Sequence, residues 1–484
     1  MIQGIDYAAI APPLIVAVAA VALLLADAFD VPGRLLGWLA SGALLVALGA
    51  VVVLAAGDRR ATFCLPAGLR GQGPSSCSYV ADGFTLLFQG LVLAAAVIVV
   101  LLSVAEVAES RLPVGEYHFL LLAAIAGALV LVAARDLVTL VVALETLSLP
   151  VFALVALRRY DGRAGEAALK LFLVSVVSAA VMLFGISLVY GSTGAMHLDR
   201  IAVARPGPDL APVAAVGVVL VLAGFAFKVA AVPFHFWAPD VYQGAPLPVA
   251  AFLSVVSKAA GFAGLAIVLV LGFPRYGHVW GPLIAVLAAV TMTVGNLVAL
   301  RQRHAVRLLA WSSVAQSGYM LAPLAVGTDR LPEAVAATVA YVAIYSVMNL
   351  GAFAVVIAVK ITDLGGYRGL ARSNPVTAAA LAFFLICLAG LPPGVIGMIA
   401  KIVVFRATVA GGVTWLAVVM AVNTAIGLYY YLAWAARLFA PAEEAVQARP
   451  IGRPLRPALA ATLAGVVVLS AAPQLVLQAV TLAT

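Results

Sequence analysis

Four ionisable side chains stand inside long apolar runs: Glu145 in LVVALETLSLP, Lys228 in AGFAFKVAAVP, Lys258 in FLSVVSKAAGF and Lys401 in GMIAKIVVF. A charge at mid-bilayer costs a few kcal/mol, so a residue of this kind is a functional candidate. Burial disfavours the charged form of an amine, and a neighbouring carboxylate favours it. A buried lysine beside Glu145 can hold a proton while paired and release it when the partner moves or water enters. That is the chemistry of a proton relay. The plainer alternative is that each ammonium snorkels to the membrane surface along its own stem. Lys170, in GEAALKLFLVSVV, lies nearer the end of its run, where the two readings stand level. His235, in PFHFW, can pass protons near neutral pH or can be a structural residue packed among aromatics. Tyr242, Trp237 and Trp311 read as interfacial aromatics. Beyond the lysines and the glutamate, few polar residues stand out at mid-span.

The elements that must hold these groups are membrane helices. Of the 484 residues, 65% are hydrophobic and 10% charged, against about 25% charged in a soluble domain. The runs divide into about fourteen spans of bilayer-crossing length: 7–28, 33–56, 80–105, 116–134, 137–157, 165–190, 211–232, 247–272, 281–300, 308–327, 333–360, 375–407, 411–437 and 457–481. Strand patterns are absent, so the expected fold is all-α and polytopic. The N-terminal run has no basic leader and is long enough to span, so it reads as a helix and not as a cleaved signal. The net charge of +8 is scattered among loops, with no basic run that would suit nucleic acid.

Loop charge gives an orientation. One alternating set, which includes Arg34, Arg111, Arg158, Arg159, Arg163, Arg307, Lys360, Arg449 and Arg453, carries about fifteen basic residues, and the other, which includes Arg59, Arg70, Arg135 and Arg330, about nine, so the first set is cytoplasmic. An even number of spans then puts both termini outside the cell membrane. Cys64 and Cys77 share an outer loop, where they form a disulfide or stay as two thiols; Cys387 lies in an apolar run. No cysteine or histidine spacing suggests a metal, haem or iron–sulfur site.

Two spans are interrupted by proline. The seventh runs into AVPFHFWAPD, and the twelfth contains LAGLPPGVIGMIAKIV. Within a bilayer such a break survives only where protein or water satisfies the freed backbone groups. Each break lies a few residues from a lysine, which a packing kink does not explain. The breaks are about five spans apart, and an odd offset reverses direction, so spans four to eight and nine to thirteen form two inverted repeats. The expected units are 1–115, 116–272, 281–437 and a tail, 438–484. No dinucleotide fingerprint or phosphate-binding loop is present, so the energy must come from a gradient or a partner.

The run FKVAAVPFHFWAPDVYQGAPLPVAAFLSVVSKAA resembles the antiporter-like subunits of bacterial NADH–quinone oxidoreductase, respiratory complex I. So do RDLVTLVVALETLSLPVFAL, EAALKLFLVSVVSAAVMLFGISLVYGSTG, GNLVALRQRHAVRLLAWSSVAQSGYM and YVAIYSVMNLGAFAVV. PDVYQGAP and a lysine at position 401 are similar to the N type more than to the L and M types. The resemblance implies that Glu145 partners a lysine, that Lys228 is the central switch and that Lys258 lies on a buried polar axis. It implies that Lys401 serves the exit half and that Lys170 begins the sixth helix. It also implies M-type and small K- and J-type membrane subunits as partners, in a lipid bilayer and without nucleic acid. This chain would hold no cofactor; NADH, FMN, iron–sulfur clusters and quinone would belong to partner subunits. One departure matters. The family usually shows GIPPxxGFxGK, whereas this chain has GLPPGVIGMIAK, with one extra residue before Lys401. One residue turns a helix by about 100°, so either the break absorbs it or Lys401 points elsewhere. The competing readings are a subunit of a multisubunit sodium/proton antiporter or membrane-bound hydrogenase, a self-contained solute transporter, and a structural spacer.

Overall fold

Lipid cannot satisfy backbone polar groups, so a chain this apolar must close its hydrogen bonds within helices. The computed structural model describes residues 4–66, 68, 75–110, 112–158, 161–441, 452 and 454–483, with the side chains of 482 and 483 left aside. Arg70, Arg111, Arg159, Arg449 and Arg453 fall outside the described residues.

The chain opens with α1 (Ala11–Ala28) and α2 (Gly33–Ala55). A two-stranded antiparallel hairpin follows, β1 (Arg60–Cys64) and β2 (Cys77–Ala81). Next come α3 (Gly83–Glu109), α4 (Val114–Leu131), α5 (Leu137–Ala156), α6 (Gly162–Thr193) and the short α7 (Leu198–Val203). The first broken region comprises α8 (Ala211–Lys228), α9 (Trp237–Gly244), α10 (Leu247–Phe252), a π-helical turn at Leu253–Ser257 and α11 (Lys258–Ile267). Then come α12 (Gly277–Ala299), α13 (Ala305–Leu321), α14 (Leu331–Val359) and α15 (Leu370–Ser373). The second broken region is α16 (Pro375–Ala389) and α17 (Val395–Ala410), followed by α18 (Thr414–Phe439), α19 (Leu455–Ala471) and α20 (Gln474–Ala483).

Among the described residues, eleven helical spans are long and apolar enough to cross a bilayer, and α19 with α20, bent by 83°, makes a twelfth if taken as one broken span. The other segments counted in the sequence differ for physical reasons. α13 has 17 residues, among them three serines, a glutamine and a tyrosine. α16 and α17 have 15 and 16 residues and are separated by the break. Leu247–Gly272 and Leu331–Val359 are the most enclosed spans, whereas α1, α2 and α6 expose many large apolar side chains outward.

The hairpin corrects the expectation of a purely helical chain. Its register pairs Cys64 with Cys77, and these cysteines form a disulfide, which decides the alternative left open by the sequence. Cys387 is free and buried. The hairpin is tied into the bundle end: Tyr79 bridges Ala134, and Ser76 Oγ donates to Asp199 at 2.7 Å.

The charged loops gather into two groups joined by the length of α3. At one end Asp82 caps α3, accepting from the Thr85 amide, and pairs with Arg135 at 2.8 Å. At the other end buried Glu106 meets Arg158 at 2.8 Å and Lys360 at 3.9 Å, and Lys360 also pairs with Glu109. Helix α3, at about 1.5 Å per residue, is long enough to separate the groups by a bilayer. Arg135 falls in one group and Arg158 and Lys360 in the other, as their assignment to opposite loop sets requires.

Burial raises the Asp82 pKa, but the Arg135 charge and the Thr85 and Arg135 hydrogen bonds outweigh it and hold the carboxyl below the usual range. A carboxylate with a depressed folded pKa contributes stability above its unfolded value, about 3.9, and loses it as pH falls through the lower folded value. Pepsin cleavage around the hairpin should therefore accelerate below about pH 4. Asp82→Asn should flatten this dependence; an unchanged profile in that variant would reject the assignment.

Candidate functional site

Lys228 is the last residue of α8. The helix stops because Pro233 has no amide to donate and clashes with a continuing turn; Ala230, at φ 56°, turns the chain aside. The freed groups find side chains. The Val232 amide donates to Thr291 Oγ1 at 2.9 Å, and Trp237 Nε1 donates to the Phe227 carbonyl at 3.2 Å. Lys228 is 7% exposed, and its Nζ donates to Ser148 Oγ at 2.8 Å. Ser148 and Glu145 are both on α5. Glu145, Ser148, Ser175, Ser178 and Lys228 line a cavity of about 20 Å³, room for roughly one water. Glu145 is half-buried and shares this cavity with Lys228 without a direct ion pair.

Lys258 begins α11 directly after the π-helical turn, a feature frequent at functional sites. It is 3% exposed. Its Nζ donates to the carbonyl and the Oγ of Ser313, both at 2.6 Å, and lies 5.8 Å from the centroid of the Tyr345 ring. Helices α8 and α11 meet closely here: a Cβ on Gly261 would lie 3.0 Å from Lys228 Cγ. Ser317 Oγ, on α13, is 2.6 Å from the Val229 carbonyl and 3.1 Å from the Ser313 carbonyl and donates to either. Ser317 thus sits between the residue after Lys228 and the partner of Lys258, within hydrogen-bond reach of both.

The polar face of α13 continues toward the second break. Ser312 hydrogen-bonds Tyr431 on α18, and Gln316 Nε2 donates to the same hydroxyl at 3.1 Å. Tyr341 on α14 donates to Gln316 Oε1 at 2.6 Å and stacks on Tyr319 at 6.2 Å. Lys401 Nζ lies 5.6 Å from the centroid of the Tyr319 ring and donates to the Ala389 carbonyl, the last of α16, at 2.6 Å. Lys401 is 8% exposed. It therefore points into the bundle, beside the break between α16 and α17. Gly390, at φ 82°, supplies the left-handed turn that lets the chain double back beside the lysine.

Lys228, Lys258 and Lys401 are all enclosed, and none reaches the surface. Lys170 stands apart at one end of the bundle, 44% exposed, paired with Glu166 at 2.6 Å and Asp240 at 2.7 Å. Asp240 also binds Arg307 at 2.8 Å, so this carboxylate fastens α9 to α6 and α13. His235 is buried, its ring centroid 5.3 Å from that of Trp311, and its Nδ1 has no hydrogen-bond partner. Two aromatic assignments need correction: Trp237 and Tyr242 are 3% and 0% exposed and pack inside the break, not at an interface. The impression of few polar mid-span residues is also wrong. Ser148, Ser312, Ser313, Gln316, Ser317, Tyr341, Tyr345 and Tyr431 are all buried. The signal was present in WSSVAQSGYM, where polar residues recur every three to four positions, as one helical face requires.

A helical membrane bundle that buries separate amines along a hydroxyl-rich core, beside two broken spans, defines an antiporter-like membrane subunit. The chain belongs to the transmembrane family described as NADH:quinone oxidoreductase/Mrp antiporter, whose profile matches residues 134–427. It is 53% identical to NADH-quinone oxidoreductase subunit N 2 of Streptomyces griseus, over 99% of this chain and 94% of that protein. A chain of respiratory complex I from Thermus thermophilus superposes with a TM-score of 0.79 at 34% identity, covering 96% of this chain and 98% of that one. A chain of the Mrp complex from Dietzia superposes at 0.82 with 22% identity, covering 98% of this chain and 96% of that chain; that likeness speaks to fold alone.

Proposed function

We propose that this chain is the N-type, antiporter-like subunit in the membrane arm of an NADH–quinone oxidoreductase, and that its buried lysines relay protons across the cell membrane. Protons enter from the cytoplasm near Lys228 and Lys258, move along the polar face of α13 and leave outside beyond Lys401. Glu145 stabilises the charged state of Lys228 through the cavity they share. His235 lies beside the first break as an entry-side proton carrier, and Lys170 steadies that end through Asp240. Quinone reduction in other subunits drives the cycle, and NADH, FMN, iron–sulfur clusters and quinone belong to those partners, among them M-type and small K- and J-type subunits. Residues 116–272 and 281–437 act as two inverted repeats within about fourteen membrane segments, with both termini outside.

The observation that carries this reading is the row of three enclosed amines, each hydrogen-bonded to protein oxygen. Uncompensated ammonium groups are costly at such depth, and packing alone is served better by apolar residues. The Mrp-type antiporter shares the fold, but the 53% identity to a subunit N against 22% to the Mrp chain favours the oxidoreductase. Purification in mild detergent should bring down quinone-module polypeptides; a set of small antiporter subunits instead would reject this assignment. Glu145→Gln should slow coupled NADH oxidation several-fold and alter its pH profile, with the complex intact. Natural turnover at every pH would remove Glu145 from the relay.

A further inference from the structure

Gln316 occupies a singular place in the core. It is 3% exposed, and its amide stands between tyrosines from two other helices. Nε2 donates to Tyr431 Oη at 3.1 Å, and Oε1 accepts from Tyr341 Oη at 2.6 Å. The Tyr431 hydroxyl also bonds Ser312, next in sequence to the serine that holds Lys258. Tyr341 belongs to the Lys401 side: its ring stacks on Tyr319, with the two planes within 9°, and Lys401 lies over Tyr319.

Serine and tyrosine hydroxyls both accept and donate, so a proton can arrive on one side of the oxygen and depart on the other. A primary amide cannot do this. Its hydrogens are on nitrogen and its lone pairs on oxygen, so a run of hydroxyls that reaches Gln316 is interrupted there. The amide has two workable orientations, because its terminal torsion is broad and roughly two-fold. In one, Tyr341 donates and Tyr431 accepts. In the other, the roles of both tyrosines reverse, and the Tyr341 hydroxyl gives up the acceptor it has here. Each half-turn resets the direction of the flanking hydroxyls while no proton crosses the amide.

We propose that Gln316 is a positioning residue that insulates the Lys258 half of the core from the Lys401 half: its amide blocks direct proton transfer between the Tyr431 and Tyr341 hydroxyls, so protons pass between the halves only by a route that bypasses the amide. The proposal rests on the relay reading above. No bond to carbon changes: each permitted step moves one proton between oxygen or amine atoms, and the amide keeps both of its hydrogens.

The test uses the assembled complex in proteoliposomes. A carboxyl accepts on one oxygen and donates from the other, so Gln316→Glu should link the Tyr431 and Tyr341 hydroxyls that the amide separates. Under a valinomycin-set potassium potential and without NADH, passive proton entry should be several-fold faster than with the natural enzyme. Protons ejected per NADH oxidised should fall. Gln316→Leu should give no leak, and adding Lys258→Met to Gln316→Glu should abolish the leak. If the glutamate variant does not assemble, Gln316→His serves, since neutral imidazole also accepts on one nitrogen and donates from the other. Tight vesicles and natural stoichiometry with an ionisable residue at 316 would overturn the proposal. If lysine variants pump normally, the relay reading fails; if they do not pump yet position 316 tolerates glutamate without leak, only the insulating role fails.

Discussion

Lys228→Met is expected to abolish proton pumping by the assembled enzyme and to reduce coupled NADH oxidation to about a tenth or less, a barrier change of at least about 1.4 kcal/mol. Methionine is unbranched and adaptable, so it fills the lysine stem's space in the core with little packing cost. What disappears is the ammonium at the end of α8. Ser148 Oγ then loses its donor, and Glu145 loses the cation that shares its cavity. Removing one member of a buried charged pair costs about 3–5 kcal/mol where the other stays enclosed. Glu145 is half-buried, so the structural cost falls below that range and assembly should survive. The functional loss does not shrink in the same way, because no other ionisable side chain lines that cavity. Proton uptake by inverted vesicles, quinone reduction and the subunit content of the purified complex check this together. Normal pumping, with the substitution verified by mass spectrometry of the purified subunit, would reject Lys228 as a relay group.

The parts of this site that were legible in the sequence are those where a strong signal interrupts a uniform background. A lysine in an apolar run and a proline pair within a span are conspicuous, and Lys228, Lys258, Lys401 and both breaks lie in or beside the core. Span averages report total hydropathy and are nearly blind to serine and tyrosine. For that reason the α13 face, with Ser313 and Gln316, is hard to see in span averages, although it lies between the lysines. Aromatic position depends on what packs against the ring: Tyr242 is enclosed with Ser313 and Phe353 beside it, and nothing local distinguishes it from an interfacial tyrosine. Lys170 owes its position to Asp240, 70 residues away. The hairpin is faint in the sequence because its strands have only five residues each, and its pairing is reinforced by a disulfide that the sequence leaves as one of two alternatives.

Gly397→Val is expected to prevent Lys401 from reaching the core. Helix α17 crosses α16 so closely that a Cβ at position 397 would lie 1.7 Å from the Cys387 carbonyl oxygen. That oxygen is backbone, so no rotamer change relieves the clash and one helix must move. Overpacking a core costs about 1–3 kcal/mol and sometimes more, and a collision with main chain belongs at the upper end. Movement of α16 carries the Ala389 carbonyl away from Lys401 Nζ, and movement of α17 carries the lysine itself away from the Tyr319 ring. The variant should therefore be depleted from the purified complex, and whatever assembles should pump poorly. Gly397→Ala should show the same defect in milder form. Cys387→Ala should not rescue it, because the obstructing atom is common to every residue type. Natural subunit content together with natural proton stoichiometry in Gly397→Val would show that the two helices do not cross at this point.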